Sequence, residues 1–442
     1  MKTDVIVVGA GVSGLVASRE FVRAGLNVCL LEARDRVGGR VFTVTEPDLI
    51  SPLELGAEFI HAQPKVLRNL IEESNLKTYP IEDHHEWRSG HHQQRVIDFW
   101  EKVGSVINTL GKSSQEERSF QDFLDQSYFD SFTKQIVTSY VKGFHAADPG
   151  KISEKALALA EKSEDSASAH RIARLFEGYG SLVHFLLESI PNWKNVLHLN
   201  TAVREVSWKA GQVKVLAHND IENLGFEAER IVLTLPVGVW KTEPKTQGAI
   251  CFQPDLIEKN EALQRLHPGA VVKVVFRFQE DFWNHTRETP LSFFHDPNLP
   301  IPTWWSTLPV QSAVLTGWSG GPYADQLSSL NESKIIDAGL RSLASALDVD
   351  IGEIRRKLES LHFHNWQKDP FSKGSYTYLG LGGIKAQRIL ATPIENTLFF
   401  AGEALNTDGP TGTVDAAVTT GLRAAKQLLE TWPGSRSKTA AA

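Results

Sequence analysis

Three glycines near the start of the chain have the spacing that brings a polypeptide backbone against a phosphate group. Gly9, Gly11 and Gly14 form a complete G-x-G-x-x-G motif, and Glu32 follows later in the same region. In such a motif the first glycine permits a tight turn, the second admits a pyrophosphate and the third lets a helix pack closely on a sheet. A carboxylate at the position of Glu32 can accept hydrogen bonds from both hydroxyls of an unphosphorylated ribose. The motif therefore predicts a dinucleotide site and argues against NADP.

The segments around these glycines have the patterns of the elements that must position them. Val5–Val8 is a continuous β-branched run, which is typical of a strand buried on both faces of a parallel sheet. Apolar residues then recur at helical spacing as far as Gly25, which suits the end of a helix. A second apolar strand over Asn27–Leu31 ends at Glu32. Because all these parts agree, the pattern argues against a glycine-rich turn that binds nothing.

A second pair of glycines follows Glu32 and helps to separate two kinds of dinucleotide. Gly38 and Gly39 stand between Arg34 and Arg40. Glycines with neighbouring arginines can hold a pyrophosphate from the opposite side, and NAD dehydrogenases do not normally have such a pair. The sequence therefore favours FAD over NAD.

Lys273 is a residue outside this region whose position could serve chemistry. It lies within the apolar run Val271–Phe278, where strand alternation places it on the same face as Val271 and Val275. A lone lysine on that face is costly to bury unless it has a partner. The residues alone favour an edge-strand lysine whose stem extends to solvent.

The composition is that of an ordinary soluble globular protein. The chain has 442 residues, of which 41% are hydrophobic and 22% charged, with a formal net charge of −7. This charge argues weakly against nucleic-acid binding and mildly favours small cationic partners. The two cysteines, Cys29 and Cys251, lack C-x-x-C neighbours, which argues against a disulfide scaffold or a cysteine zinc site. No apolar run reaches the roughly 18 residues of a membrane span, so no membrane partner is expected. The cysteine usage and an N-terminal segment interpreted as mature structure favour a cytoplasmic enzyme. We expect a monomer or homodimer without a nucleic-acid partner.

Further motifs follow along nearly the whole chain. They are Glu54–His61, Thr201–Val206, Arg230–Pro236, Val271–Phe278, Trp366–Tyr376, Phe399–Glu403, Gly412–Ala417 and Gly421–Ala425. Together with the first forty residues, they resemble in order the motifs of the FAD-dependent amine oxidase superfamily. That superfamily includes monoamine oxidases, polyamine oxidases, L-amino-acid oxidases and lysine-specific histone demethylases. Among these, the chain most resembles a bacterial-type polyamine oxidase acting on spermine or spermidine.

The resemblance implies an α/β fold with a Rossmann-like FAD-binding domain and a mixed α+β substrate domain. The expected segments are 1–60, 195–245 and 390–432 for the FAD-binding domain, 61–194 (mainly helical) and 246–389 (sheet and helices) for the substrate domain, and 433–442 for a disordered tail. Sequence patterns in the substrate domain predict helices over Phe99–Leu110, Phe120–Tyr140, Ile152–Phe176 and Glu332–Leu347, and strands over Val271–Phe278 and Ala313–Trp318.

The resemblance also assigns residues to the cofactor. They are Gly9, Gly11, Ser13, Gly14, Glu32, Ala33, Arg34, Gly38, Gly39, Arg40, Gly56, Ala57, Val203, Trp366, Glu403, Thr413 and Val414. In the family, the backbone of Gly56 and Ala57 passes beside the flavin, and the backbone of Val203 holds the adenine. A helix that begins at Val414 would direct its positive end at the flavin. Ser375 stands where monoamine oxidases carry the cysteine that bonds to FAD, so FAD is expected to bind noncovalently.

Five residues are implied in catalysis and substrate binding. Lys273 would hold a water against flavin N5 and assist oxygen activation, a role that the resemblance favours over the edge-strand interpretation. Tyr376 would form one side of an aromatic cage around the amine, and Thr413 would take the second position, as in spermine oxidases and histone demethylases. His61 lies where polyamine oxidases carry a histidine or glutamate near the substrate channel. Glu58 is a second candidate there, although a solvated strand-end residue is slightly favoured for it.

The implied reaction oxidises an amine to an imine by hydride transfer to FAD N5, with O2 reduced to H2O2 and the imine hydrolysed by water. His61, Tyr376 and Thr413 favour spermine or spermidine as the substrate. A monoamine or L-amino-acid oxidase is the alternative, although Ala57–Ala62 offers no arginine for an amino-acid carboxylate. A noncatalytic flavoprotein scaffold is a third hypothesis. The short insertions, without a tower or DNA-binding domain, disfavour a histone demethylase.

The histidine-rich segment His84–His92 suggests a metal site at first sight. Its spacing fits no standard zinc motif, and no metal is expected. Trp87–Gly90 has the pattern of a hairpin turn, which predicts a solvated loop. Trp304, Trp305 and Trp318 are interpreted either as walls of the substrate cavity or as core.

Overall fold

A computed structural model describes residues 1–433 except 90–91, 113–115, 163–171, 220 and 286. The strands are β1 Val5–Val8, β2 Val28–Leu31, β3 Thr43–Val44, β4 Leu53–Glu54, β5 Ile60–His61, β6 Thr78–Pro80, β7 His85–Ser89, β8 His92–Arg95, β9 Ile172–Leu175, β10 Leu197–His198, β11 Ala202–Lys209, β12 Gln212–His218, β13 Asn223–Ala228, β14 Arg230–Leu233, β15 Cys251–Gln253, β16 Leu266–Pro268, β17 Val271–Phe278, β18 Phe293–His295, β19 Thr303–Ser306, β20 Val314–Gly320, β21 Leu358–Phe363, β22 Thr377–Leu379 and β23 Leu398–Phe400. The α-helices are α1 Val12–Arg23, α2 Lys65–Ser74, α3 Phe99–Ile107, α4 Phe120–Asp125, α5 Ser131–Phe144, α6 Glu154–Lys162, α7 Tyr179–Glu188, α8 Trp193–Val196, α9 Val237–Trp240, α10 Ile257–Leu263, α11 Pro322–Ser328, α12 Glu332–Leu347, α13 Ile351–Lys357, α14 Gly383–Ala391 and α15 Val414–Glu430.

A five-stranded parallel sheet carries the N-terminal glycine motif. Its strand order is β10-β2-β1-β14-β23. In β1, Val5 and Val7 belong to the core on one face of this sheet, whereas Ile6 and Val8 belong to the core on the other face. A strand covered on both faces needs apolar side chains on both, which explains the unbroken apolar run. The predicted α/β class with a Rossmann-like layer is confirmed.

Helix α1 packs closely on this sheet and against α15 because glycines stand at the contacts. A Cβ atom at Gly14 would lie 1.9 Å from the carbonyl oxygen of Gly9. On α15, a Cβ atom at Gly421 would lie 2.6 Å from the carbonyl oxygen of Ser13. Any larger residue at either place would push α1 away from its neighbours, so Gly14 has a packing role.

A seven-stranded sheet, in the order β21-β17-β20-β19-β18-β7-β8, forms the second large layer. Its strand β17 has the predicted bounds and pairs antiparallel with β20 on one side and β21 on the other. Lys273 therefore lies on an interior strand, and the edge-strand interpretation is wrong. Helix α12 also has the predicted bounds, and it packs its apolar face on this sheet.

Helices α3 to α6 surround a separate core, and they differ from the predicted helices in two ways. The predicted helix over Phe120–Tyr140 is two helices, because α4 ends at Asp125 and Asp130 caps the start of α5. The prediction of helix as far as Phe176 is wrong at its end, where β9 pairs with β5 and β6. Pairing on both sides outweighs the local helical pattern there. Part of that prediction, 163–171, lies outside the described residues.

The prediction of a solvated loop in the histidine-rich segment is wrong where the structure describes it. Strand β7 pairs with β18 and β8, and the side chains of His85 and Trp87 are buried. Gly90 and His91 lie outside the described residues, as does the predicted tail from residue 434 onward. Within the described ranges, no group of three or more ligating side chains is arranged to hold a metal ion. Nor does any described helix have the length and apolar composition to cross a membrane.

Candidate active site

A cavity of about 1060 Å³ lies at the carboxyl ends of the parallel strands and extends to the face of the seven-stranded sheet that carries Lys273. Residues that follow β1, β2, β14 and β23 form its first part, as expected for an open α/β sheet. All the predicted cofactor residues line it except Gly14, which is covered by its packing contacts. The predicted catalytic and substrate residues also line it, namely Lys273, His61, Tyr376, Thr413 and Glu58.

The loop after β1 forms an open cradle with the second glycine pair. A Cβ atom at Gly11 would meet nothing within 4 Å, and α1 begins there without a side-chain cap or an acidic residue in its first turn. The first N–H groups of α1 therefore stay available to an anion. Gly38 closes the other side, because its N–H donates to the carbonyl oxygen of Ala10 at 2.9 Å. The shape and the donors fit a pyrophosphate.

The carboxylate of Glu32 is fixed at the end of β2. Its Oε2 accepts the Ala10 N–H at 2.8 Å, and its Oε1 accepts the Arg34 N–H at 3.0 Å. The side chain is buried, yet it lines the cavity. Each oxygen retains acceptor capacity, so the carboxylate can take hydrogen bonds from ribose hydroxyls.

Arg34 and Arg40 connect the N-terminal motif to the C-terminal motifs. Arg34 Nη2 donates to Asp369 Oδ1 at 2.7 Å and to the hydroxyl of Ser372 at 2.8 Å. Burial alone would raise the pKa of Asp369, but the hydrogen bond from His364 and the charge of Arg34 hold it well below its ordinary value. These contacts commit the guanidinium of Arg34 to joining motifs from opposite ends of the chain.

Glu403 connects Arg40 to the C-terminal motifs. Its Oε1 accepts Arg40 Nη1 at 2.8 Å and the Thr377 hydroxyl at 2.9 Å, while its Oε2 accepts the Gly412 N–H at 2.9 Å. Arg40 also donates to the carbonyl oxygen of Ser375. Glu403 therefore fixes the strand after Ser375 and the loop before α15 in one arrangement.

The backbone segment around Gly56 is pressed flat against its neighbours. A Cβ atom at Gly56 would lie 2.0 Å from the carbonyl oxygen of Arg40, and the indole of Trp366 donates to the carbonyl oxygen of Leu55 at 3.0 Å. Gly56 and Ala57 line the cavity from this position. A flat backbone surface of this kind fits a planar ring system.

Helix α15 begins at Val414, as predicted. The hydroxyl of Thr413 accepts the Ala416 N–H at 3.0 Å and so caps this helix. This hydrogen bond occupies the Thr413 hydroxyl. Thr413 also lines the cavity, where its side chain is small. Ser375 donates its hydroxyl to the carbonyl oxygen of Gly269 at 2.8 Å.

Lys273 is buried in an ion-paired arrangement on the cavity wall. Its Nζ lies 2.7 Å from Glu58 Oε2 and 3.2 Å from the carbonyl oxygen of Gly56. Glu58 Oε1 accepts Arg174 Nε at 2.9 Å and the indole N–H of Trp305 at 3.0 Å. Burial alone would raise the pKa of Glu58, but the charges of Lys273 and Arg174 lower it. The side chain of Glu58 is only 11% exposed, so the interpretation of Glu58 as a solvated strand-end residue is wrong.

Tyr376 and two tryptophans form an aromatic wall. The Tyr376 hydroxyl donates to the carbonyl oxygen of Phe144 at 2.7 Å. The ring of Trp318 is nearly parallel to that of Tyr376, with 6.5 Å between centroids, and Trp305 lies 5.9 Å further on. Trp304 is wholly buried and belongs to the core.

Four side chains, His61, Asp83, His145 and Glu161, form what we call the acid–histidine cluster. All line the cavity. His145 Nε2 lies 3.0 Å from Glu161 Oε1. The ring of His61 contacts that of Phe144, with 4.7 Å between centroids. Since the same Phe144 accepts the Tyr376 hydroxyl, the cluster lies beside the aromatic wall.

The surroundings of His61 keep its imidazole neutral near pH 7. Burial and, to a smaller extent, the charge of His145 lower the pKa of His61 to about 4, against the opposing effects of Glu161 and Asp83. A neutral imidazole can accept a hydrogen bond from an ammonium group.

Three residues of the site, Arg174, Asp83 and Glu161, are not predicted from the sequence. Arg174 and Glu161 fall in the range predicted as one long helix, and Asp83 precedes a segment predicted as a solvated loop. A signal for Arg174 was the short apolar run Ile172–Leu175 with one charged residue inside it.

Comparison with known proteins places this geometry in a family. The family model described as flavin containing amine oxidoreductase matches residues 12–429. The chain is 26% identical over 458 residues to lysine-specific histone demethylase 1 homolog 2 of Oryza sativa subsp. japonica, covering 97% of this chain and 57% of that protein. It is 26% identical over 465 residues to polyamine oxidase 4 of the same organism, covering 96% and 88% respectively. Putrescine oxidase bound to putrescine has a similar fold, with a TM-score of 0.80 and 21% identity over 97% of this chain and 99% of that one.

The chain spans about half the length, 52% to 57%, of several curated relatives that it matches, histone demethylases among them. Relatives named for histone demethylation and for polyamine oxidation match with the same identity, so identity alone does not select a substrate. The family match does confirm the predicted superfamily and the flavin cofactor. Because the match extends over nearly the whole chain, the protein belongs to the flavin-containing amine oxidoreductase family.

Proposed function

We propose that the protein is an FAD-dependent oxidase of polyamines, with spermine or spermidine preferred and O2 as the electron acceptor. The observation that carries the substrate class is the acid–histidine cluster beside the aromatic wall. Two carboxylates, Asp83 and Glu161, line a cavity whose neighbouring surface is aromatic. A slender carbon chain with a charged nitrogen at its far end matches this combination.

The bound FAD would supply the two-electron acceptor, and Gly11, Gly38 and Glu32 would hold its pyrophosphate and ribose. The chain's own residues would orient the amine. The rings of Tyr376 and Trp318 would contact its methylene groups. Aliphatic ammonium groups have pKa values of about 10, so the reacting nitrogen must lose a proton before oxidation. The reacting nitrogen is proposed to bind in its neutral form after losing that proton to solvent, and His61, as a neutral imidazole, is the proposed hydrogen-bond acceptor for the distal ammonium.

Charge would fix the direction in which a polyamine binds. Lys273 places positive charge in the cavity wall, Arg174 adds a second positive charge next to Glu58, and Glu58 neutralises only one of the two. A distal ammonium would be repelled from that region and attracted to Asp83 and Glu161. The reacting end of the substrate would therefore stay near Tyr376. Lys273 would act on the oxygen side of the reaction, by holding a water or by stabilising negative charge on reduced oxygen.

FAD is proposed to bind noncovalently because Ser375 stands at the position of the linking cysteine and has no sulfur. Acid precipitation of the purified yellow protein is expected to release the flavin into the supernatant. The measurement is the visible absorbance of the supernatant and of the redissolved pellet. Flavin that stays with the precipitated chain would contradict noncovalent binding.

A comparison of amines tests the substrate proposal. We expect kcat/KM for spermine or spermidine to exceed that for benzylamine or any L-amino acid by about 10- to 100-fold, the value of one charge-assisted hydrogen bond to the distal nitrogen. The measurement is H2O2 production with spermine, spermidine, putrescine, benzylamine and L-amino acids at two salt concentrations. Because exposed charge pairs are screened over about 8–10 Å at physiological ionic strength, the polyamine KM is expected to rise with salt.

Two variants test whether the acid–histidine cluster is the cause of the preference for polyamines. Asp83→Asn and Glu161→Gln are expected to lower kcat/KM for polyamines and to leave benzylamine oxidation unchanged. Glu73→Gln is the matched control, because Glu73 is ion-paired with Arg19 and does not line the cavity. If benzylamine or an amino acid is the best substrate, the protein is a monoamine or amino-acid oxidase instead.

A further inference from the structure

We infer that Glu58 and Arg174 are positioning residues that hold Lys273 in a fixed place and charge state for the reaction with oxygen. The inference rests on the proposed oxidase function and adds two residues to it. The inferred positioning role of Glu58 replaces the expectation that Glu58 itself binds the substrate.

The hydrogen bonds of Lys273 show which of its N–H donors are engaged and which one can bind a group in the cavity. An ammonium group has three N–H donors. Glu58 Oε2 takes one at 2.7 Å, and the carbonyl oxygen of Gly56 takes a second at 3.2 Å. The third donor is left for a group in the cavity that Lys273 lines. A lysine side chain has a flexible stem, so the contact with Glu58 determines where that third donor points.

Glu58 is in turn held by Arg174. Both Nε and Nη2 of Arg174 approach Glu58 Oε1, at 2.9 and 2.8 Å. The same guanidinium donates to the carbonyl oxygens of Ser306 and Leu308 at 3.1 and 3.3 Å. The loop after β19 thus positions Arg174, which positions Glu58, which positions Lys273.

The charges of these three groups depend on one another. The carboxylate of Glu58 lies between two cations, and the side chains of Lys273 and Arg174 are 2% and 8% exposed. Without the negative charge, two buried cations would face each other across a neutral group. Such an arrangement favours loss of the lysine proton or rotation of the lysine away. Either change removes a positive charge that can stabilise negative charge on reduced oxygen.

Direct binding of a substrate ammonium by Glu58 would require its present contacts to break. Oε1 already accepts hydrogen bonds from Arg174 and Trp305, and Oε2 accepts the one from Lys273. An incoming cation would also meet the charges of Lys273 and Arg174. A positioning role uses the contacts as they stand.

The test is a double-mutant cycle on the oxygen reaction. Glu58→Gln is expected to slow reoxidation of the reduced enzyme by about 10-fold or more. Reduction by amine is expected to change by less than about twofold. The holoenzyme is expected to unfold at a lower temperature than wild type, because two buried cations lose the carboxylate between them. In a Lys273→Met background, Glu58→Gln is expected to have no further effect, because Glu58 acts through the lysine.

Two further variants complete the design. Glu46→Gln is the matched control. Glu46 is ion-paired with Arg277, which lies on the same strand as Lys273, but Glu46 does not line the cavity. Arg174→Lys keeps the charge and loses the two-atom contact, so it is expected to slow reoxidation as well. It also keeps the inference testable if Glu58→Gln fails to fold.

Photochemical reduction of the flavin separates this inference from the proposed function, since it needs no amine. Additive effects in the cycle, or equal slowing of both half-reactions, would overturn the positioning role. A change confined to the KM of the amine would instead make Glu58 a substrate ligand. If no amine reduces the wild-type flavin, the proposed function fails, while the photoreduced enzyme still decides the roles of Glu58 and Arg174.

Discussion

Replacing Lys273 by methionine is expected to slow reoxidation by O2 by about 100- to 1000-fold, the usual effect of removing a group that stabilises developing negative charge. FAD content and the rate of reduction by amine are expected to remain near wild type. Methionine is the suitable replacement because it fills a similar volume without a charge. Stopped-flow absorbance of the flavin, followed separately for reduction and reoxidation, is the measurement.

Lys259→Met provides the matched control for this prediction. Lys259 is also a buried lysine, but its Nζ donates to backbone carbonyls at the end of α14 and it does not line the cavity. It is expected to lower stability without changing the oxygen reaction. If Lys273→Met matches wild type in both half-reactions, Lys273 has only a structural role.

Replacing Glu32 by alanine is expected to weaken FAD binding by about 2–4 kcal/mol, or about 30- to 1000-fold in Kd, for two lost charge-assisted hydrogen bonds to the ribose. The variant also loses the acceptors for the N–H groups of Ala10 and Arg34, which shape the glycine loop. The measurement is titration of FAD-free protein with FAD, followed by flavin fluorescence.

Glu73→Ala serves as the comparison for Glu32→Ala, because it removes an ion-paired carboxylate that does not line the cavity. An FAD occupancy that stays at the wild-type level after extensive dialysis would exclude Glu32 from the cofactor site.

Elements whose residues carry their own signal could be predicted from the sequence. Strands β1 and β17 and helix α12 have the predicted bounds, because unbroken apolar runs and helical periodicity are local properties. The end of the helix predicted to reach Phe176 is wrong, because β9 depends on pairing with β5 and β6, which are distant in sequence. For the same reason, the sequence could not show that two neighbours enclose β17.

The residues of the candidate site also fall into those that could be predicted from the sequence and those that could not. The glycine loop and Glu32 could be predicted, because their spacing is set within one strand–helix–strand unit. The surroundings of Lys273 could not, since Glu58 contacts Lys273 and Arg174 contacts Glu58 across 215 and 116 positions of the chain. Asp83 and Glu161 gave no signal of their own, as single carboxylates in polar segments usually remain solvated.

Anaerobic mixing of the FAD-loaded enzyme with spermine shows whether the protein oxidises polyamines. We expect rapid loss of the visible flavin absorbance with spermine or spermidine, slower loss with benzylamine, and recovery with formation of H2O2 when O2 is admitted. Asp83→Asn and Glu161→Gln should slow the loss with spermine but not with benzylamine. Flavin that stays oxidised in the presence of every polyamine, or that is bleached fastest by benzylamine or an L-amino acid, would contradict the proposal.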